Sequence, residues 1–264
     1  MNKRKVNVTP ELLMILPALA LLALITIYPF IFTIWLSFMD YPMILTRAPS
    51  FCGFENWQRM FTDPKVKHYW IVTLKYAFGA LSCEMVLGIF IALLLDKVRF
   101  LQDFFTTLTM FPLFFAPVLV GLLGRFLFHD SYGIYTYFLH RMGFFENISI
   151  FGRGNSALFA LIFLDIWEWT PLIIIIVLAG LKALPLELFE VASVDGATGW
   201  QKLWYLTLPL LKPTIIIALL IRTMDVIKYF DQILITTRGG PADATKTISM
   251  AIYDQAFQAY QMGY

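Results

Sequence analysis

Five stretches of this chain are each long and apolar enough to cross a lipid bilayer, at about 11–39, 69–95, 104–128, 156–181 and 207–235. A spanning helix needs about 20 mostly apolar residues. In hydrocarbon every backbone N–H and C=O must find its partner inside the protein, which leaves helices or a closed β-barrel. None of the five alternates apolar and polar residues as a barrel strand does, so the sequence predicts an all-α polytopic membrane protein. Composition agrees: 59% of the 264 residues are hydrophobic and 14% are charged, against about 25% charged in soluble domains.

The first stretch follows a basic cluster, Lys3-Arg4-Lys5, and Ala18-Leu19-Ala20 mimics a signal-peptidase site. It continues apolar from Leu12 to Phe38, well past the apolar region of about 7–15 residues in a secretory signal, and reads as a retained spanning helix. Pro29, Pro112, Pro117, Pro171 and Pro213 lie within or near the spans, where prolines are tolerated and produce kinks. The connection 96–103 is short and charged, while 40–68, 129–155 and 236–260 are longer. Seven Lys and Arg residues (3, 4, 5, 97, 99, 182, 202) fall on the side of the N-terminus, and eight (47, 59, 65, 67, 141, 153, 238, 246) are spread over the much longer opposite loops. Density of positive charge marks the cytoplasmic face, which puts the N-terminus and the connection 182–206 in the cytoplasm. Five spans leave the C-terminus outside, and Gln258–Tyr264 reads as the approach to a sixth; a sixth span lost at the C-terminus is the expectation.

The connection 182–206 differs from the rest. Pro185 suits the first turn of a helix, and Glu187 and Glu190 follow where the helix dipole favours acids. Gly196 can take the left-handed conformation that ends a helix, Thr198 or Gly199 can start a second short helix, and Pro209 opens the last span. The small residues Ala192, Ser193, Gly196 and Ala197 near this bend would let another protein approach closely. Glu190 beside them could accept a charge-assisted hydrogen bond from an arginine of that protein. The alternative reading is an amphipathic connector lying on the membrane surface.

The run Glu190-Val191-Ala192-Ser193-Val194-Asp195-Gly196-Ala197, followed by Leu208-Pro209, resembles the EAA loop of ABC-importer permeases: Glu-Ala-Ala, three residues, Gly, and a later Leu-Pro pair. It departs at Val191, where the pattern has Ala. Thr237-Arg238-Gly239-Gly240-Pro241 with Thr245, Ile252-Tyr253 and Ala256-Phe257 is similar to an outer loop of the carbohydrate-uptake, maltose-type branch, and Pro185, Trp200-Gln201 and Thr207–Leu211 fit it too. The resemblance implies one transmembrane permease domain over 1–264 with the type I ABC-importer fold, in a prokaryotic cell membrane. It also implies an assembly: a second, different permease subunit, two ATPase subunits and an extracytoplasmic sugar-binding protein. Glu190, Ala192, Ser193, Asp195, Gly196 and Ala197 would then couple to the ATPase. ATP and Mg would sit on those partner ATPases, with no cofactor in this chain.

Ionisable residues inside spans are costly and point to function. Asp165 and Glu168 flank Trp167 and Trp169 in the fourth span, and the fifth carries Arg222, Asp225, Lys228 and Asp231. Helical spacing puts 165, 168 and 169 on one face and 222, 225 and 229 on another. Asp165, Glu168, Trp169, Arg222, Asp225 and Tyr229 together supply the carboxylates, guanidinium and aromatic faces that a sugar site uses, and by the resemblance these positions fall near the substrate path. The competing reading is a buried salt-bridge network, Asp165 or Glu168 with Arg222, that fixes helix packing. Lys75 and Arg125 are close to span ends and can snorkel; Glu84, mid-span, has no evident role from sequence.

Other functions find little support in the chain. A net charge of +2 is too small to indicate nucleic acid. There is no G-x-x-x-x-G-K-[ST] phosphate loop, no catalytic constellation, no zinc-type spacing, and His68, His129 and His140 lie in or beside outer loops. Cys52 and Cys83 are placed too differently to form a disulfide. The rival reading is an ATP-independent secondary transporter or channel, which often shows inverted repeats; none is visible, and such a protein has no reason to carry an EAA loop.

Overall fold

The computed structural model describes residues 10–43, 48–98, 100–144 and 149–264. The cluster Lys3-Arg4-Lys5, Arg47 and Arg99, which enter the charge count above, lie outside the described residues. In chain order the helices are α1 (Pro10–Leu36), α2 (Glu55–Thr62), α3 (Pro64–Lys97), α4 (Gln102–Met110), α5 (Pro117–Leu127), α6 (Ile134–Arg141), α7 (Gly154–Lys182), α8 (Leu186–Val194), α9 (Gly199–Lys202), α10 (Leu208–Ile227), α11 (Asp231–Thr236) and α12 (Ile248–Tyr253). Two strands of two residues each, β1 (Met39–Asp40) and β2 (Ser50–Phe51), pair antiparallel between α1 and α2.

Among the described residues four helical stretches are apolar and long enough to span: Leu13–Leu36, Pro64–Lys97, Gly154–Lys182 and Gly199–Thr236. The expected span at 104–128 is not one helix. It consists of Gln102–Phe114 and Pro117–Leu127, bent by 89°. The cause is Pro117: the helical region is disfavoured for a residue before proline, and Phe115 and Ala116 are both extended, at ψ 137° and 139°. The last span is also interrupted, at Lys228–Phe230 between α10 and α11.

The chain forms two compact units, Met1–Lys67 with Ile252–Tyr264, and His68–Ala251. In the first, the Asn56 amide is shared among three carbonyls, of Ser37 (3.1 Å), Met39 (3.0 Å) and Gly263 (2.8 Å). That contact ties the segment after α1 to the C-terminal residues, where Pro42 and Gln261 also form a β-bridge. No residue of α1 from Leu13 on is buried within the apolar window, so this helix offers a largely apolar surface to lipid or another chain.

The second unit is organised around α7. Its buried positions Ala157, Ala160, Leu161, Leu164, Asp165, Glu168, Ile173, Ile174, Val177, Leu178 and Leu181 recur at spacings of three and four. One core joins Ile173–Leu181 of α7 to Ala92 and Leu95 of α3 and Leu211 and Ala218 of α10. A second joins Leu161 to Tyr76, Ala77 and Ala80 of α3, to Val226, Tyr229 and Ile233, and to Met250. A third joins Ala160 and Leu164 to Val120, Phe128 and Ile150.

Small residues permit these approaches, as they do generally between membrane helices. A Cβ on Gly88 would sit 2.6 Å from Cβ and Cγ2 of Ile173, a branched side chain held against the α7 backbone that cannot swing away. Gly88→Val is therefore expected to lower the thermal midpoint of the detergent-solubilised protein, with a cost of about 1–3 kcal/mol or more from overpacking. Gly199→Ala, which has open space around it, is expected to leave the midpoint within about one degree.

Candidate functional site

Where α3, α7 and α10 converge, the cores give way to charge. Among the described residues the fully or nearly fully buried charged side chains are Glu84, Asp165, Glu168 and Arg222. An arginine in a spanning helix must find partners or leave the membrane, and Arg222 finds two. Its Nε donates to Glu84 Oε2 at 2.7 Å, and Nη2 donates to Glu84 Oε1 at 2.9 Å and to Asp165 Oδ2 at 2.7 Å. Three of the five guanidinium protons are thus spent on two carboxylates from two other helices. The Trp169 ring lies over the guanidinium, 4.9 Å from carbon to ring centre, within cation–π range.

Glu168, one turn along α7 from Asp165, faces a different set. It accepts from the Gln232 amide and, at 3.4 Å, from the Tyr229 hydroxyl. Tyr229 stacks on Tyr76 of α3, with centroids 5.5 Å apart and planes 18° from parallel. Tyr229 occupies the break between α10 and α11, so the interruption of that span is what turns its ring and the Gln232 amide toward α7.

The structure thus brings together Asp165, Glu168, Trp169, Arg222 and Tyr229 and leaves Asp225 outside. Asp225 Oδ1 lies 3.6 Å from Lys228 Nζ on a partly exposed surface. Glu84 and Gln232 are members that sequence reasoning did not assign. Glu84 carried a usable signal, since a mid-span carboxylate needs a cation and Arg222 is the mid-span cation; Gln232, uncharged and near a span end, carried none.

Five buried polar atoms of this cluster have no hydrogen-bond partner in the protein: Tyr76 Oη, Arg222 Nη1, Trp169 Nε1, Asp165 Oδ1 and Gln232 Oε1. Two are donors, two are acceptors, and the Tyr76 hydroxyl can be either. Such orphans are rare in protein interiors, and a mixed set of them beside three aromatic rings matches a ligand whose groups both donate and accept, as hydroxyls do. Among the described residues no group of three or more His, Cys, Asp or Glu side chains is placed to hold a metal ion.

A second site lies on the connection between α7 and α10. Helix α8 ends in a Schellman turn: Gly196 adopts φ +75°, Gly196 N–H donates to Ser193 O at 3.1 Å and Ala197 N–H to Ala192 O at 2.9 Å. Only a residue without a Cβ takes that φ freely. Thr198 then caps α9 with a reciprocal Thr198–Gln201 capping box, and Lys202 Nζ donates to Ser193 Oγ at 2.5 Å across the bend. Ala192 and Ala197 are half-buried in the turn, while Glu190, Ser193, Asp195 and Gly196 are exposed. Leu186, Val191, Val194 and Trp200 are exposed as well, an apolar surface on a segment with polar neighbours.

Residues 84–264 match the family described as "Binding-protein-dependent transport system inner membrane component". The chain is 32% identical over 251 residues to the trehalose/maltose transport system permease protein MalF of Thermococcus litoralis, covering 95% of this chain and 83% of that one. It is 33% identical over 259 residues to the sulfoquinovosyl glycerol transport system permease protein SmoG of Agrobacterium fabrum, covering 96% and 82%. A chain in the crystal structure of a bacterial alginate ABC transporter, in complex with an alginate pentasaccharide-bound periplasmic protein, has the same fold. Its TM-score is 0.79 at 24% identity, over 95% of this chain and 84% of that one.

Proposed function

The chain belongs to the family of binding-protein-dependent transport system inner membrane components, and on that premise we propose that it carries a sugar along a path lined by the α3–α7–α10 cluster. It is a multi-pass permease subunit, not a complete machine. A second permease subunit completes the membrane pathway, two ATPase subunits supply the energy, and an extracytoplasmic solute-binding protein delivers the cargo. The N-terminus lies in the cytoplasm of a prokaryotic cell, which puts the α8–α9 hairpin on the ATPase side. The Glu190–Ala197 run forms the docking surface there, with ATP and Mg held by the partner.

One observation carries the sugar reading: orphaned donors and acceptors stand with three aromatic rings inside the spans. Sugars present hydroxyls at their edges and C–H faces to stack on rings. Glu168, Trp169 and Tyr229 form the contacting wall, while Arg222 and Asp165 present their unpaired atoms to it. The cluster is buried in this conformation, so passage needs α10 and α11 to shift against α7, and the break at Lys228–Phe230 supplies the hinge. The relative named for trehalose/maltose transport supports a saccharide as the cargo class.

Trp169→Ala tests this. Removing a stacking ring and a donor is expected to cost about 2 kcal/mol of cargo binding, a fall of roughly thirtyfold in uptake of the importer's sugar at subsaturating concentration. The complex should still assemble, as judged by size-exclusion chromatography. Unchanged uptake by an assembled Trp169→Ala complex would remove the cluster from the path.

A further inference from the structure

The charge balance of the cluster says more about the cargo than the presence of a polar site does. Among the described residues the buried ionisable groups of opposite sign are unequal: Arg222 stands against Glu84, Asp165 and Glu168. The one cation is also consumed. Two carboxylates hold its Nε and Nη2, the indole of Trp169 covers it, and only the two Nη1 protons remain. Among the described residues no other Lys or Arg of this unit is buried. Lys246 sits over the Tyr69 ring and 3.8 Å from Asp243.

Recognition of a carboxylate, sulfonate or phosphate calls for a guanidinium fork or ammonium free to pair with it. This site instead offers a guanidinium already held by Glu84 and Asp165, with the Glu168 carboxyl beside it accepting from Gln232 and Tyr229. The unpaired Asp165 Oδ1 and Gln232 Oε1 add acceptors, which welcome a hydroxyl proton and repel an anionic oxygen.

We infer that this permease passes uncharged saccharides and rejects anionic ones (uronates, sulfonated sugars and sugar phosphates) through the excess of carboxylates around Arg222. The inference rests on the sugar-path reading above and narrows it. It separates this chain from an importer built for an acidic glycan, even where the fold is shared.

The test uses the intact importer complex purified through this chain, read by the fluorescence of Trp169, taken as the wild-type signal less that of Trp169→Phe. The neutral probes are trehalose, maltotriose and cellotriose; the anionic probes are trigalacturonate and glucose 6-phosphate. At least one neutral probe is expected to bind on the order of tenfold or more tightly than either anion, and Glu168→Gln is expected to shrink that gap at least threefold by strengthening anion binding. An anionic probe that binds through the Trp169 signal as tightly as the best neutral one would overturn the charge rule alone. If no probe of either charge perturbs Trp169, the sugar-path reading fails, and this inference falls with it.

Discussion

Arg222→Leu should leave little folded protein. The substitution strips the partner from two buried carboxylates, Glu84 and Asp165, which hold Arg222 at 2.7 Å each. Breaking a buried ion pair from one side costs about 3–5 kcal/mol, because the abandoned charge has no solvent to return to. Here two charges are abandoned in a membrane interior. The expected result is loss of the monodisperse peak in size-exclusion chromatography, or a thermal midpoint lowered by ten degrees or more. Removing all three charges tells the network's two effects apart. Glu84→Gln with Asp165→Asn and Arg222→Met keeps the volumes and should recover most of the lost stability, since a neutral set carries no uncompensated charge. Arg222→Leu with wild-type stability would mean that the triad is not closed as described.

Val194→Glu is expected to release the ATPase. Val194 is 88% exposed at the end of α8, one residue before the cap of the turn, and an exposed apolar side chain there gains only by being covered. A central interface residue turned to a buried like-charged or unpaired group costs about 2–4 kcal/mol, so ATPase retained on the captured permease should fall thirtyfold or more. Gly196→Val should act similarly by a different route. Space around its Cβ is open, but φ +75° is strained for a β-branched residue, and the hairpin would re-angle. Lys202→Ala removes only the exposed contact to Ser193 Oγ and should change retention by less than about threefold. Equal retention by all three variants would show that the hairpin is a surface connector.

The spans were legible because hydropathy over twenty residues is a summed signal that no single side chain can reverse. The loop 182–206 was legible for the opposite reason. Pro185, Gly196 and Thr198 each impose a backbone conformation locally, and together they specify helix, left-handed turn and capped helix without help from tertiary contacts. What sequence could not give was geometry set by packing. Pro112 and Pro117 announce a kink, but its 89° comes from how the two arms settle on α7 and α11. The choice of Arg222's partners was open between Asp165 and Glu168. The structure takes Asp165 and adds Glu84 from 138 residues away, a pairing that no local periodicity encodes. Asp225 shares a nominal helical face with Arg222, yet α10 ends two residues beyond it, and near that end a carboxylate can turn to Lys228 and the surface.

This chain is the membrane subunit of an ATP-driven importer and not a self-sufficient transporter. The most direct measurement is capture of the tagged chain from its native membranes in mild detergent, followed by assay of ATP hydrolysis in the captured material. Vanadate-sensitive hydrolysis by the wild-type capture, lost from the Val194→Glu capture while the permease itself stays folded, is the predicted result. A folded wild-type chain that brings down no ATP-hydrolysing partner would instead point to a carrier driven by an ion gradient.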